Sequence, residues 1–250
     1  MFNLTIKPNL ILLHGWAFNS AIWQPTINFL SEYYNLITID LNGHGHNNFN
    51  SDYQQLDNYL DALIQQIPFN SHILGWSLGG NIALNLKYKY PDHINKIMLC
   101  CSNPCFLTRT DWSHGINPKI LAKFTNNLLI DPNKTIKEFL LLQTMNHTHA
   151  KTLYKNLLEI VNNAPSPSSE GLKWGLNILE QDYLPLLNII EHCDIKFILG
   201  AKDSLVPKTI AHYLTDNHQN IEVTVLDKSG HVPFITEPDD FYRTLINNLK

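Results

Sequence analysis

The chain of 250 residues is 44% hydrophobic and 16% charged, which suits one globular domain with a full core and excludes a disordered or low-complexity protein. A formal net charge of −4 gives no electrostatic footprint for nucleic acid. No apolar run approaches the ~20 residues of a membrane helix, and residues 1–8 lack a basic start leading into a long apolar stretch, so a cytoplasmic monomer with no membrane partner is the expectation.

Apolar runs of strand length alternate with helical patterns through the first hundred residues. Strands are predicted at 10–13, 36–39, 72–74 and 97–101, and helices near 21–30, 53–67 and 78–90, the last stopped before Pro91. The strands are continuously apolar, as in a sheet covered on both faces. Between 106 and 187 the alternation gives way to four consecutive helices, near 119–129, 135–145, 150–161 and 169–180, punctuated by Asp131-Pro132 and Pro165-Ser166-Pro167. It resumes with strands at 195–199 and 221–226 and helices near 207–216 and 239–249. This pattern predicts a mostly parallel, doubly wound α/β core at 1–105 and 188–250, with 106–187 inserted as a helical lid over the edge where ligands bind.

The sharpest signal is Gly75-Trp76-Ser77-Leu78-Gly79-Gly80, set between the strand at 72–74 and the helix beginning at 78. Gly-x-Ser-x-Gly at a strand-to-helix turn is a nucleophile elbow, in which Ser77 is pushed clear of the sheet and the following helix turns its free N–H groups toward developing negative charge. A serine needs a base to take its proton and an acid to orient that base. Two downstream loops qualify. Asp203 follows the strand ending at Leu199, and His231, in Ser229-Gly230-His231-Val232-Pro233-Phe234, follows the strand ending at Leu226. A parallel sheet brings those ends to one edge, so Ser77, Asp203 and His231 are the candidate nucleophile, acid and base. Asp227 is kept as a reserve acid, whereas Asp194 precedes its strand and belongs to the opposite edge. Oxyanion donors are expected from the N–H groups of Leu78 and of Trp16, the latter in His14-Gly15-Trp16 after the first strand.

Other chemistry is less well supported. His44/His46 and His147/His149 are His-x-His pairs without a third ligand at a recognisable spacing, so no metal site is assigned. Cys100, Cys101, Cys105 and Cys193 match neither a zinc pattern nor a disulfide framework, and are read as buried, reduced thiols.

Taken together, Leu13-His14-Gly15-Trp16, Asp40-Leu41-Asn42-Gly43-His44-Gly45, the elbow, Asp203 with Val206-Pro207, and Gly230-His231 with Pro233-Phe234 resemble an α/β-hydrolase of the carboxylesterase type. Ser102-Asn103-Pro104-Cys105-Phe106 and Phe139-Leu140-Leu141-Leu142-Gln143-Thr144-Met145 are similar to the pimeloyl-[acyl-carrier protein] methyl ester esterases of biotin synthesis. That resemblance implies hydrolysis of a methyl ester on a pimeloyl chain held by acyl carrier protein, without a cofactor. It also implies an acyl site lined by Trp16, Leu78, Phe139, Leu140, Leu141, Leu142 and Gln143 beside Ser77 and His231. Basic lid residues would meet the acidic carrier. Lys134, Lys151 and Lys155 match such positions, but Glu138 stands where another basic residue is expected, and a solvated helix face is the ordinary alternative for Lys151 and Lys155. Two further departures are His46, in place of a small hydroxyl residue, and a short N-terminus whose strand is reduced to 2–6. A general short-chain esterase, a carbon–carbon bond hydrolase and a slowly turning ligand receptor remain as alternatives on the same scaffold.

Overall fold

A computed structural model describes residues 7–190, 195–218 and 221–249. The strand expected at 2–6, the rival acid Asp194 and Cys193 lie outside the described residues. Six strands, β1 (Asn9–Leu13), β2 (Asn35–Ile39), β3 (Ser71–Trp76), β4 (Ile94–Cys100), β5 (Ile195–Gly200) and β6 (Ile221–Leu226), form one parallel sheet in the order β2-β1-β3-β4-β5-β6. β3 and β5 are buried along their whole length, whereas the edge strands β2 and β6 are half-exposed. The unbroken apolar runs of the sequence therefore belong to strands covered on both faces.

From β1 the chain steps outward to β2, then returns to place β3 on the other side of β1. That reversal opens a crevice at the carboxyl ends of β1 and β3, where doubly wound sheets bind their ligands. The loops carrying Trp16 and Ser77 leave the sheet at this point.

The expected helix at 21–30 is divided. A 3-10 turn, Ser20–Trp23, capped by the Asn19 side chain, precedes α1 (Gln24–Leu30). Pro25 explains the break: it has no N–H to bond back into the preceding turn. Likewise, a 3-10 turn at Ser51–Tyr53 precedes a shorter α2 (Leu56–Ile64). α3 (Leu78–Lys89) follows β3 directly.

Between β4 and β5 lie α4 (Pro118–Leu128), α5 (Pro132–Thr144), α6 (Ala150–Asn162) and α7 (Ser169–Leu179), the four helices expected, and a short α8 (Leu184–Ile189) that the sequence pattern did not separate. Their starts follow from capping. Asn117, Asp131 and Ser168 side chains accept from Lys119, Lys134 and Gly171 N–H groups, and Pro118 and Pro132 occupy first turns where no N–H is needed. Ahead of α4 the chain makes isolated bridges, Leu107 with Ile116 and Arg109 with Trp112, rather than helix. α9 (Ile210–Asn217), α10 (Pro233–Thr236) and α11 (Pro238–Leu249) complete the described fold. No described helix is long and apolar enough to cross a membrane.

Candidate active site

Ser77 is the residue between β3 and α3, and its backbone sits at φ 53°, ψ −116°, on the left-handed side that L-residues avoid. Such strain, of about 1–3 kcal/mol, persists only where the surroundings over-determine it. Here they do. A Cβ on Gly75 would be driven into the Gly79 carbonyl, and one on Gly79 into the Leu13 carbonyl, so only glycine lets the turn close against β1. Ser102 Oγ lies 2.8 Å from the Ser77 carbonyl oxygen and holds the turn from the β4 side. The Ser77 hydroxyl itself is buried and bonded to no described residue.

Asp203 and His231 come together in the β5 and β6 loops. His231 Nδ1 is 2.8 Å from Asp203 Oδ2, and both side chains are fully buried. Asp203 Oδ1 accepts from the Leu205 and Val206 N–H groups, at 2.8 and 3.1 Å, so the carboxylate is held on both oxygens. An Asp203 carboxylate acting as acceptor puts the imidazole proton on Nδ1 and leaves Nε2 free; that atom, like Ser77 Oγ, is buried without a partner. The reserve acid Asp227 is exposed, whereas Asp203 is the carboxylate bonded to His231.

Two neighbours of this pair were not singled out in the sequence. Trp76, a variable position of the elbow, donates from Nε1 to the His231 carbonyl at 2.7 Å and packs its ring 5.7 Å from the imidazole. Cys101 follows β4 at φ 44°, with Sγ 3.5 Å from the Gly230 carbonyl and within 4.8 Å of ligand atoms of Asp203 and His231. Burial pushes its thiol pKa well up, so it stays protonated. Neither His-x-His pair joins a third metal-ligating side chain among the described residues.

The β1 loop completes the site. Trp16 is fully buried, with Nε1 donating to the Leu172 carbonyl at 2.8 Å and its ring edge-on to Phe139 at 4.8 Å. A Cβ on Gly175 would lie 2.7 Å from Trp16 Cδ1 and 2.9 Å from Leu78 Cδ2, so α7 presses its bare backbone onto both candidate oxyanion residues.

Residues 8–238 match the family described as the alpha/beta hydrolase fold. The chain belongs to the α/β-hydrolase family. This hydrolase is 35% identical over 235 residues, 94% of its length and 91% of the relative's, to a pimeloyl-[acyl-carrier protein] methyl ester esterase of Vibrio campbellii. A protein of the same description from Pseudoalteromonas atlantica is 34% identical over 96% of this chain and 94% of its own. Among solved structures, an esterase from Exiguobacterium antarcticum superposes with a TM-score of 0.83 at 24% identity over 97% and 91% of the two chains. An enol-lactonase from Burkholderia xenovorans gives 0.82 at 17% identity over 99% and 93%. At those identities the two structures speak for the fold alone.

The remaining expected site residues of the hydrolase divide along α5. Phe139 and Leu140 are buried, and Phe139 meets both Trp16 and Phe124. Gln143 is buried with Oε1 unpartnered. Leu142 is half-buried, with its carbonyl bonded by Ser204 Oγ at 3.1 Å beside the Asp203 loop. Leu141 instead faces outward, 51% exposed, into a groove of about 530 Å³ between α4 and α5. Ile120, Phe124, Leu141 and Leu142 line that groove together with Lys119, Lys123 and Glu138. Leu141 thus joins the outer groove rather than the buried contacts around Trp16, because successive helical residues point about 100° apart. Lys134, Lys151 and Lys155 are all exposed.

Proposed function

We propose that this hydrolase is a serine carboxylesterase that cleaves the methyl ester of a pimeloyl chain carried on acyl carrier protein, in biotin synthesis. The observation that carries the chemistry is the buried Asp203–His231 pair, whose free Nε2 shares the sheet's carboxyl edge with the equally unpartnered Ser77 hydroxyl. The substrate follows from the near full-length identity to esterases of that description.

In the proposed reaction His231 Nε2 takes the Ser77 proton as Oγ attacks the ester carbonyl. The carbonyl oxygen becomes an oxyanion facing the N–H groups of Trp16 and Leu78. His231 then returns the proton to the departing methoxide, releasing methanol and leaving an acyl-enzyme on Ser77. Water, deprotonated by the same histidine, attacks that ester and frees a carboxylate at the distal end of the chain. The thioester to the carrier stays intact because it remains outside the site.

Residues 106–187 act in this reading as the lid, with Phe139, Leu140 and Gln143 over the acyl chain and the α4–α5 groove as its outer approach. Lys134, Lys151 and Lys155 meet the acidic carrier, and Lys119 and Lys123 at the groove supply positive charge that offsets Glu138. The hydrolase acts as a monomer in the cytoplasm; buried Cys100, Cys101 and Cys105, free of disulfides, support the reducing compartment.

Growth of a biotin-requiring, esterase-deleted strain carrying this gene tests the substrate assignment. Growth without biotin is expected. Failure to grow, with a purified enzyme that still hydrolyses small esters rapidly, would leave a general esterase; failure of both would leave the receptor reading.

A further inference from the structure

His14 takes no part in the reaction just described, yet its buried ring is bonded on both sides. The Leu41 N–H donates to His14 Nε2 at 3.0 Å, so the lone pair sits on Nε2 and the proton on Nδ1. Nδ1–H in turn donates to the Gly15 carbonyl at 2.8 Å. Burial lowers the pKa of His14 from 6.5 to about 4, so the ring keeps one N–H and one lone pair at neutral pH. Its other face packs on His44, ring centroids 5.4 Å apart, and His44 is held in turn by its Nδ1 at 3.1 Å from the Asn42 carbonyl. The ring is clamped.

What the clamp holds is one peptide plane. Gly15 O also accepts from the Phe18 N–H at 3.3 Å, closing a turn in which Ala17 takes φ 65°. No peptide bond among the described residues is cis, and in a trans peptide the C=O and N–H point in opposite directions. The two donors that fix Gly15 O therefore aim the Trp16 N–H the other way, where it has no acceptor among the described residues. A Cβ on Gly15 would lie 3.3 Å from Ser77 Cβ, so this peptide rests against the nucleophile.

We propose that His14 is a positioning residue for the oxyanion hole, its Nδ1–H locking the Gly15–Trp16 peptide so that the Trp16 N–H faces the carbonyl oxygen of an ester bound at Ser77. The proposal rests on Trp16 being the second oxyanion donor. Without the lock only the longer bond from the Phe18 N–H holds the plane, and rotation about it removes a donor and turns a carbonyl dipole toward the developing negative charge. Loss of one such donor costs about 10²–10³ in kcat.

Two substitutions separate this role from a structural one, because an asparagine amide reaches the Nδ1 position and a glutamine amide the Nε2 position. His14→Asn keeps the donor to Gly15 O and gives up the bond from Leu41; His14→Gln does the reverse. Each loses one buried hydrogen bond, so similar falls in Tm are expected. kcat for a small methyl ester should stay within about tenfold of wild type in His14→Asn and fall about 10²-fold in His14→Gln, with KM little changed. Affinity for a boronic acid that mimics the tetrahedral intermediate should fall in step with kcat. Equal kcat losses in the two variants, or no loss in His14→Gln, would overturn the proposal. Should either variant fail to fold, the wild-type enzyme decides. Nitrogen NMR must find His14 protonated on Nδ1, and the boronic acid must shift the Trp16 amide. An Nε2-protonated ring sinks the lock; an unmoved Trp16 amide in an enzyme that still needs Ser77 sinks the donor assignment and the lock with it, while the esterase reading stands.

Discussion

At the carboxyl edge of the sheet, Gly75 and Gly79 bring backbone against backbone, and the side chains of Ser77, Asp203 and His231 are buried. Among the helices between β4 and β5, α7 also meets that edge through bare glycine backbone, at Gly175, whereas α4, α5 and α6 do not. They are joined through amphipathic faces, and they leave Leu129, Ile130, Leu141 and Met145 about half exposed or more. Contacts between glycine backbones admit one arrangement, because any added atom collides. Contacts between aliphatic side chains admit several of similar energy. In the proposed mechanism, chemistry that fails on an ångström of error sits on the first kind of surface, and selection of a long flexible acyl chain falls to the second.

The hardest way to break the catalytic side of that contrast is Ser77→Ala. kcat should fall by roughly 10⁶, while Tm stays close to wild type, since the backbone strain at residue 77 is unchanged and only an unbonded hydroxyl is removed. A variant retaining a tenth of wild-type turnover would remove Ser77 from the mechanism. Next comes Asp203→Asn, expected to cost about 10⁴ in kcat by leaving His231 in the wrong tautomer. Asp227→Asn, at an exposed site, should cost far less, and the reverse order in a steady-state assay would move the acid to Asp227.

A third prediction sharpens the contrast through stability. Burial lowers the pKa of His14 to about 4 and of His44 to about 3, both beneath the β1 and β2 loops. Between pH 6.5 and those values the unfolded chain binds protons that the folded chain refuses. The contribution to stability is complete above about pH 6.5 and declines as the pH falls, by up to ~1.4 kcal/mol per pH unit for each group, levelling off below the folded values. Thermal unfolding should therefore show Tm dropping steadily from pH 6.5 toward pH 4. His72 in β3, whose pKa burial also lowers to about 4, adds to the same slope, so a flat Tm across that interval would mean that none of the three rings is buried neutral.

The smallest effect belongs to the proposed lid. Reversing Lys151 and Lys155 to Glu should lower kcat/KM for carrier-bound substrate several-fold and flatten its salt dependence, because surface charges act mainly on association and are screened within ~8 Å at physiological salt. The loss on a small soluble ester should be clearly less. Equal losses on both substrates would make these lysines supports of the lid itself.

How much of this was legible beforehand follows the same division. Trp16, Ser77, Asp203 and His231 each sit just beyond a strand, and parallel strands bring all such ends to one edge, so an ordering of apolar runs was enough to gather them. Cys101 also ends a strand, but its approach to Asp203 and His231 depends on its positive φ and on the β4–β5 pairing, neither of which leaves a mark in composition or spacing. Trp76 was hidden for a related reason: its bond to the His231 carbonyl joins residues 155 apart. In the helices, Leu140 and Leu141 look alike in a run of leucines, and only the packing decided that one is buried and the other faces the groove. The Lys119 and Lys123 flank of that groove was equally silent, since a lysine pair four residues apart on a helix is the ordinary form of a solvated face.

Cys101 also gives the enzyme an internal gauge. A thiol that is buried and kept protonated does not react with alkylating reagents while the strands around it stay closed. At reagent concentrations where labelling outpaces reclosing, its labelling rate, read residue by residue by mass spectrometry, is therefore the rate at which that part of the molecule breathes open. Because Cys101 lies against the Asp203–His231 pair, that clock reports on the catalytic edge itself, in the untouched enzyme and without any substrate.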